Sequence, residues 1–326
     1  MWWKLKAAIH RSISLLPDRL GYSANFFLQR RFGRLASADP SLEHLQAGKR
    51  FADEIIASGR TLQGTTVLEI GTGWQLDLSI ALWLCGAERV VTVDVNPYLE
   101  SEVVLAHLAY LKSHGEIVRG MFGSFASTPL FRERYRALMR VPDTLQSLIG
   151  LTGISYRAPA DTARLDLPDA SVDYYISYNV DQYITRPLLE EVLREGKRVL
   201  KPGGLHLHAI DLTDWFAESD PSISRINFLR FSEQEWKKYA GNRFMYQNRL
   251  RVDDYTSLFG EMEYDIHRLE VTRDNRAIDV LKSGFPLDKE FKEKSIETNA
   301  TSSAWIVASP TVSSNHSLHH RGQTAP

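Results

Sequence analysis

The sequence predicts an α/β fold built on a parallel sheet, and three observations carry that prediction. From about residue 61, short apolar runs of strand length alternate with segments of helix length. The first strand-like run, 66–70, passes directly into Gly71 and Gly73. An aspartate, Asp94, ends the second strand-like run. Strand–helix–strand units of this kind close through right-handed crossovers and leave ligands at the carboxyl ends of the strands.

Residues 1 to about 60 read as helical. Their apolar positions are interleaved with Lys4, Lys6, Arg11, Arg19, Arg30, Arg31 and Arg34, and Asp18 is the one acid before position 35. Two readings suit this basic segment and its Trp2, Trp3, Phe26, Phe27 and Phe32. Either an amphipathic helix lies on an anionic membrane with its indoles at headgroup depth, or a cap helix packs Trp2 and Trp3 on the main domain with its arginines solvated. Peripheral membrane contact is therefore one expectation for this segment.

The alternation then runs in order. Residues 66–70 form a buried strand, 76–85 a helix stopped at Gly86, 89–94 a second strand and 98–112 a second helix. The stretch 113–152 breaks the rhythm with two short helices, at 130–140 and 142–149, and is expected as a helical insertion. Strands at 154–158 and 173–177 follow, then a helix at 187–200. Lys201-Pro202-Gly203-Gly204 is expected to make a tight turn into a strand at 205–210. Loops and helices reach about 260, followed by a strand at 264–271, a charged helical stretch at 288–297 and a strand at 304–308. The tail 310–326 has few apolar residues and is expected to be disordered, so His316, His319 and His320 lack an ordered scaffold for a metal. The organisation expected is thus an N-terminal helical segment, 1–60, an α/β domain, 61–309, with the helical insertion at 113–152, and the tail, 310–326.

Composition narrows the function. Lys plus Arg total 39 against 40 Asp plus Glu, a net charge of −1, which removes the general argument for nucleic-acid binding. The single cysteine, Cys85, excludes an intramolecular disulfide and a thiolate metal cluster, and suggests a reducing, cytoplasmic setting. No apolar stretch approaches the roughly 20 residues of a spanning helix. His10, Arg11 and Ser12 interrupt the N-terminal apolar run, against a secretory signal.

The chemistry concentrates in Val67-Leu68-Glu69-Ile70-Gly71-Thr72-Gly73-Trp74 and in Asp94, which stands 94 − 73 = 21 residues beyond Gly73. Glycines between a strand and a helix let the backbone approach a ligand where a side chain would clash. An acid at the tip of the second strand is placed to accept bonds from ribose hydroxyls, so a nucleoside-containing ligand is expected. The bland alternative is a tight turn with a capping acid. Leu76 occupies the third glycine position of the dinucleotide fingerprint, and Glu69 adds negative charge where a pyrophosphate would sit. Both features suit a ligand without phosphates and with a cationic group, and disfavour a nicotinamide oxidoreductase.

Glu69-x-Gly71-x-Gly73, Asp94, the 161–173 segment with Asp161, Asp169 and Asp173, and Lys201-Pro202-Gly203-Gly204 together resemble the class I S-adenosylmethionine-dependent methyltransferases over about 61–309. The resemblance implies a Rossmann-like, mostly parallel seven-stranded sheet with an antiparallel last strand, and S-adenosyl-L-methionine as cofactor. It implies that Gly71 and Gly73, with Thr72 and Trp74 between and beside them, lie under the methionine and ribose portion. Asp94, followed by Val95, would grip the ribose. Asp161, followed by Thr162, would lie near the adenine amino group, and Asn179 beside the methionine end. Glu69 would be a supporting acid. The sequence departs from the family pattern at Gln75, where many members have a third glycine. It departs again at Val180-Asp181-Gln182-Tyr183, which lacks the usual glutamate and histidine, and at Trp215: Ile210-Asp211-x-x-Asp214 looks similar to a bacterial subgroup that tends to follow this motif with histidine.

The reaction expected is methyl transfer to a small-molecule or glycan-type acceptor at oxygen, with no nucleic-acid partner and no metal. Asp181, Asp211 and Asp214 are the candidate bases at the mouth of the sheet, with Tyr183 beside them; for Asp214, helix capping is an equal alternative. His206 and His208 share one face of their strand, either as a metal pair or packed under a helix without a carboxylate partner. Arg249 and Arg251 read as an acceptor clamp or as a solvated helix start. The acceptor pocket is expected from the N-terminal helices, the insertion 113–152 and the segment 212–250. A cofactor-binding module without catalysis is the rival reading, on the strength of Gln75, Gln182, Tyr183 and Trp215.

Overall fold

A computed structural model describes residues 2–33, 35, 41–140 and 143–311. Seven strands form one sheet: β1 (Thr66–Ile70), β2 (Arg89–Val93), β3 (Ser155–Arg157), β4 (Val172–Tyr178), β5 (Leu200–Asp211), β6 (Tyr264–Arg273) and β7 (Thr301–Pro310). Their order across the sheet is β3-β2-β1-β4-β5-β7-β6. β1 to β5 pair in parallel, whereas β7 is antiparallel to both β5 and β6. The central strands are near-continuous apolar runs because helices cover both faces.

Three helices precede the sheet: α1 (Trp2–Ser14), α2 (Asp18–Phe32) and α3 (Glu43–Ala57). The helices α4 (Asp77–Cys85), α5 (Ser101–Ser113), α6 (Gly115–Met121), α7 (Pro129–Arg140) and α8 (Leu145–Thr152) fill the next crossovers. After β4 come α9 (Arg186–Val199), α10 (Glu233–Ala240) and α11 (Val252–Glu261). Alternation along the strands sorts the core. Val67, Val90, Ile176 and Leu207 face α3 and α4, while Leu68, Val91, Tyr175 and Ile210 face the α9–α11 side. Helix α4 is buried along its whole length, so its apolar run is that of a core helix.

Several expectations change here. Helix α3 belongs to the main core, where Leu45, Phe51 and Ile55 pack with α4 residues. The Lys201-Pro202-Gly203-Gly204 segment does not separate a helix from a strand. It lies within β5, and a register shift between Val172 and Tyr174 absorbs it. The described residues of the insertion pack against α4 rather than over the strand ends. Its Phe131, Tyr135 and Leu138, one face of α7, pack into the α4 core, and Arg134 donates to the carbonyls of Trp83 and Ala87 where α4 ends. The N-terminus splits the two tryptophans: Trp3 is buried against Phe216, Phe231 and Tyr239, whereas Trp2 is exposed. Arg34, the tail from 312 with its three histidines, and the predicted start of a helix at Pro142 lie outside the described residues.

Candidate functional site

The site is built at the carboxyl ends of β1, β2, β4 and β5. Beyond Ile70 the chain turns through two glycines with positive φ, +82° at Gly71 and +66° at Gly73. The Gly71 N–H donates to the Val93 carbonyl at 2.7 Å, tying the loop to the end of β2. A Cβ at Gly71 would lie 2.2 Å from Val180 Cγ2, so only glycine lets β1 and the loop after β4 come this close. At Gly73 the same construction meets nothing within 4 Å, leaving room above the loop.

Asp94 stands beside that room. Its Oδ2 accepts the Gly73 N–H at 2.9 Å and its Oδ1 accepts the Asn96 N–H at 2.8 Å. Burial raises the Asp94 carboxyl above its usual range, and the two amide bonds work against this. A carboxylate has about four lone-pair directions, so two amide donors leave two acceptor positions for a pair of hydroxyls. Thr72 is buried and shares a 2.6 Å hydrogen bond with Thr92, which fixes the loop between the glycines. Glu69 lies beneath the loop, where it accepts the Ser79 hydroxyl; burial pushes its carboxyl up to about 7. It therefore supports the start of α4 rather than facing a cationic ligand group.

An aromatic cover that the sequence did not reveal closes one side of the loop. Trp74 stacks between Phe26 of α2 and Tyr98, with centroid distances of 5.3 and 4.6 Å. The Tyr22 hydroxyl donates to Asn96 Oδ1 at 2.7 Å. These partners lie on separate elements, and the sequence signalled only the tryptophan next to the glycines. Val95 is exposed beyond β2. Asp161 is exposed and accepts the Ala163 N–H at 2.9 Å, with Thr162 inside the turn it closes.

After β4, Asn179 adopts φ +54° and its N–H donates to the Ala209 carbonyl at 2.8 Å. It borders a cavity of about 470 Å³ that Tyr178, Asp211, Thr213, Glu218 and Arg225 also line, with Glu43 from α3 and Trp305 from β7. Among the described residues, the insertion contributes nothing to this lining. Asp211 is half-buried in the wall and accepts both the Thr213 N–H, at 2.9 Å, and its hydroxyl, at 2.7 Å. Asp214 also borders the cavity but is fully buried. It caps the short helix Trp215–Glu218 by accepting the Phe216 N–H at 2.9 Å, and accepts Asn227 Nδ2 at 3.1 Å; burial raises its carboxyl to about 7.

Asp181 is not at the cavity. It is buried under β4, accepting the Ser177 hydroxyl at 2.7 Å and pairing with His208 Nδ1 at 2.7 Å. His208 therefore has a carboxylate partner that its strand did not reveal. A chain of contacts continues through His206 to Tyr264 at 3.3 and 3.1 Å, under α9 and α11. Tyr183 is exposed, while Gln182 is buried with neither side-chain amide atom bonded to protein.

Both readings of the arginine pair give way to a third. Arg251 is fully buried and donates to the carbonyls of Leu212 at 2.7 Å, Asn299 at 3.0 Å and Thr301. Arg249 is also buried, donating to Phe228 and Phe231 carbonyls and pairing with Glu233 and Glu290 at 3.0 Å. Both hold backbone carbonyls in loops and at the ends of elements, and neither is an acceptor clamp or a solvated helix start.

A parallel sheet with a glycine turn after β1 and an acid at the end of β2 defines a nucleoside-binding α/β domain. The strand order, with β7 antiparallel between β5 and β6, is that of the class I S-adenosylmethionine-dependent methyltransferases. The family model described as "Methyltransferase domain" matches residues 128–208, from α7 to β5. No curated protein matches the chain. Among solved structures, a putative sarcosine dimethylglycine methyltransferase from Galdieria sulphuraria is 13% identical, covering 89% of this chain and 99% of its own, with a TM-score of 0.47. The putative methyltransferase solved with the Trm112 activator from Haloferax volcanii is 16% identical, covering 89% and 95%, with a TM-score of 0.45. A Methanosarcina mazei S-adenosylmethionine-dependent methyltransferase is 12% identical, covering 79% and 97%, with a TM-score of 0.44. At such scores these likenesses say nothing of the acceptor. The family match over 128–208 gives a methyltransferase domain, and the strand order and loop geometry fit S-adenosylmethionine as its cofactor.

Proposed function

We propose that the protein moves a methyl group to a hydroxyl oxygen of a small-molecule or glycan-type acceptor bound in the cavity at the ends of β4 and β5. The observation that carries this reading is the cavity's position and lining: Asn179 borders it from the loop after β4, and Asp211, Thr213 and Arg225 offer polar groups across it. Gly71, Thr72, Gly73 and Asp94 would hold the ribose and methionine portion of the cofactor, and Asp161 and Thr162 the adenine side. When bound, S-adenosylmethionine supplies a methyl already activated on a sulfonium, so the protein's part is to position and deprotonate the acceptor.

A hydroxyl becomes a competent nucleophile as its proton leaves, which calls for a base in the cavity. Asp211 suits that role, because its carboxylate lies in the cavity wall and Thr213 fixes its orientation with two hydrogen bonds. Asp214 is committed to its cap and to Asn227, and shapes the same wall from behind. Hydroxyls of a sugar-like ring suit the remaining donors and acceptors better than an apolar acceptor would. The reading extends to a cytoplasmic protein whose acceptor is presented at a lipid surface, which the exposed apolar face of α1 and α2 supports.

The test is release of S-adenosylhomocysteine from the purified protein with panels of glycosides, phenols, carboxylic acids and amines. Turnover of hydroxylated acceptors is expected, with kcat lowered about 10²–10⁴-fold by Asp211→Asn and cofactor affinity retained. Turnover of amines alone would overturn the oxygen assignment. Tight cofactor binding with no turnover on any panel would favour a binding module.

A further inference from the structure

Helices α1 and α2 use only one side of their surface to pack on the rest of the chain. On α1, Trp3, Ala7 and His10 turn inward. The opposite stripe, Trp2, Leu5 and Ile9, is 55%, 50% and 36% exposed. These residues are three and four apart and so share one helix face. The stripe has a counterpart on α2, where Leu20 and Phe27, seven residues apart, are 60% and 64% exposed. Leu15 and Leu16, in the bend between the helices, are exposed as well. Large apolar side chains aligned along exposed helix faces are unlike the scattered singles of an ordinary surface.

Charge identifies what covers them. The same two helices carry exposed Lys4, Arg11, Arg19, Arg30 and Arg31. Their one acid, Asp18, is bound to Arg243 of the main domain. Arg30 pairs with Glu102 at 2.8 Å, so Lys4, Arg11, Arg19 and Arg31 leave these two helices locally basic in a chain balanced at −1 overall.

We propose that the α1–α2 face docks the protein on an anionic lipid bilayer, with Trp2, Leu5, Ile9, Leu20 and Phe27 entering the boundary between headgroups and acyl chains. The lysine and arginine side chains then meet the anionic headgroups. A second copy of the chain fits less well, because a two-fold contact through this face would set basic residues against their own copies. No helix of the described residues is long and apolar enough to cross a membrane, so the contact is peripheral. The inner side of α2 carries Tyr22 and Phe26, which hold Asn96 and Trp74 at the cofactor loop. The docking face and the nucleoside site thus share one helix. The inference deepens the lipid-surface part of the proposed function, yet vesicle binding is measured without any turnover, so either can fail while the other stands.

The experiment is co-sedimentation of the full chain with phosphatidylcholine vesicles, with and without phosphatidylglycerol. Binding is expected only with the anionic lipid, and is expected to weaken as salt rises. The variant Leu5→Ser/Ile9→Ser/Leu20→Ser/Phe27→Ser should bind at least about tenfold more weakly. These positions face solvent, so its thermal melt should match the parent. Should the melt shift, Arg11→Glu/Arg19→Glu decides alone, and is expected to lose the salt-sensitive binding. Absence of binding to anionic vesicles, or equal binding by parent and the charge variant, would overturn the proposal. So would a concentration-dependent dimer that the serine variant abolishes.

Discussion

Replacing Gly71 and Gly73 separately by alanine distinguishes what each glycine does. At 71 two costs add. The φ of +82° costs an L residue about 1–2 kcal/mol. The new Cβ also lies 2.2 Å from Val180 Cγ2 and 3.3 Å from Val180 Cβ, so the loop or the mouth of β4 must move. Overpacking of that kind costs about 1–3 kcal/mol. The sum is about 2–5 kcal/mol of folding stability, lost with or without ligand. At 73 only the backbone cost applies, about 1–2 kcal/mol, because no atom lies within 4 Å of the added methyl. That methyl does, however, project into the room assigned to the cofactor. Urea unfolding read beside calorimetric titration with S-adenosylhomocysteine separates the two. Gly71→Ala should show the large stability loss, and Gly73→Ala a small one with affinity down by roughly 5- to 150-fold, as a ligand displaced at a cost of about 1–3 kcal/mol requires. A Gly73→Ala protein that binds as tightly as the parent would refute the placement of the cofactor over this loop.

Three further outcomes follow from buried polar groups. Asp214 has its carboxyl raised to about 7 from 3.8, so the folded state holds its proton more tightly than the unfolded chain. Its stabilising contribution is full below about pH 4 and is lost as pH rises through about 7. The stability difference between parent and Asp214→Asn, measured by unfolding across pH 4–8, should therefore shift against the parent as pH rises; a flat difference contradicts the buried acid. Arg251→Met should cost about 3–5 kcal/mol in unfolding experiments, since the carbonyls of Leu212, Asn299 and Thr301 lose their donor. A smaller loss would mean that water replaces the guanidinium. Asp181→Ala should cost about 2–5 kcal/mol by leaving Ser177 and His208 unpaired. Because Asp181 lies away from the cavity, kcat of the folded fraction should stay within a few-fold of the parent, and a collapse of kcat with stability intact would place it among the catalytic groups.

What the sequence revealed is what depends on neighbours along the chain. The glycine turn and the acid at 94 are local backbone requirements with a fixed spacing, and the structure joins them through the Gly73–Asp94 bond. Strand and helix alternation is likewise periodic, so the order of elements was legible. The partners of buried polar groups were not. His208 meets Asp181 across 27 residues of sequence, and Arg251 meets Thr301 across 50. An arginine that holds loop carbonyls looks in sequence like any solvated arginine, because its burial is decided by packing among distant segments. The insertion misled for a similar reason: α7 has one apolar face, and nothing local says whether that face meets α4 or the strand ends. The cavity wall was only half legible. Asp211 and Thr213 adjoin β5, but Glu43 and Trp305 arrive from opposite ends of the chain.

The reading stands on Asp94 gripping the two ribose hydroxyls, and one titration tests it most directly. Calorimetry of S-adenosylhomocysteine with the parent and with Asp94→Ala should show affinity lower in the variant by about 1.5–3 kcal/mol, a loss of roughly 10- to 150-fold, as removal of charge-assisted hydrogen bonds predicts. Equal affinity in a variant that keeps its fold would contradict it.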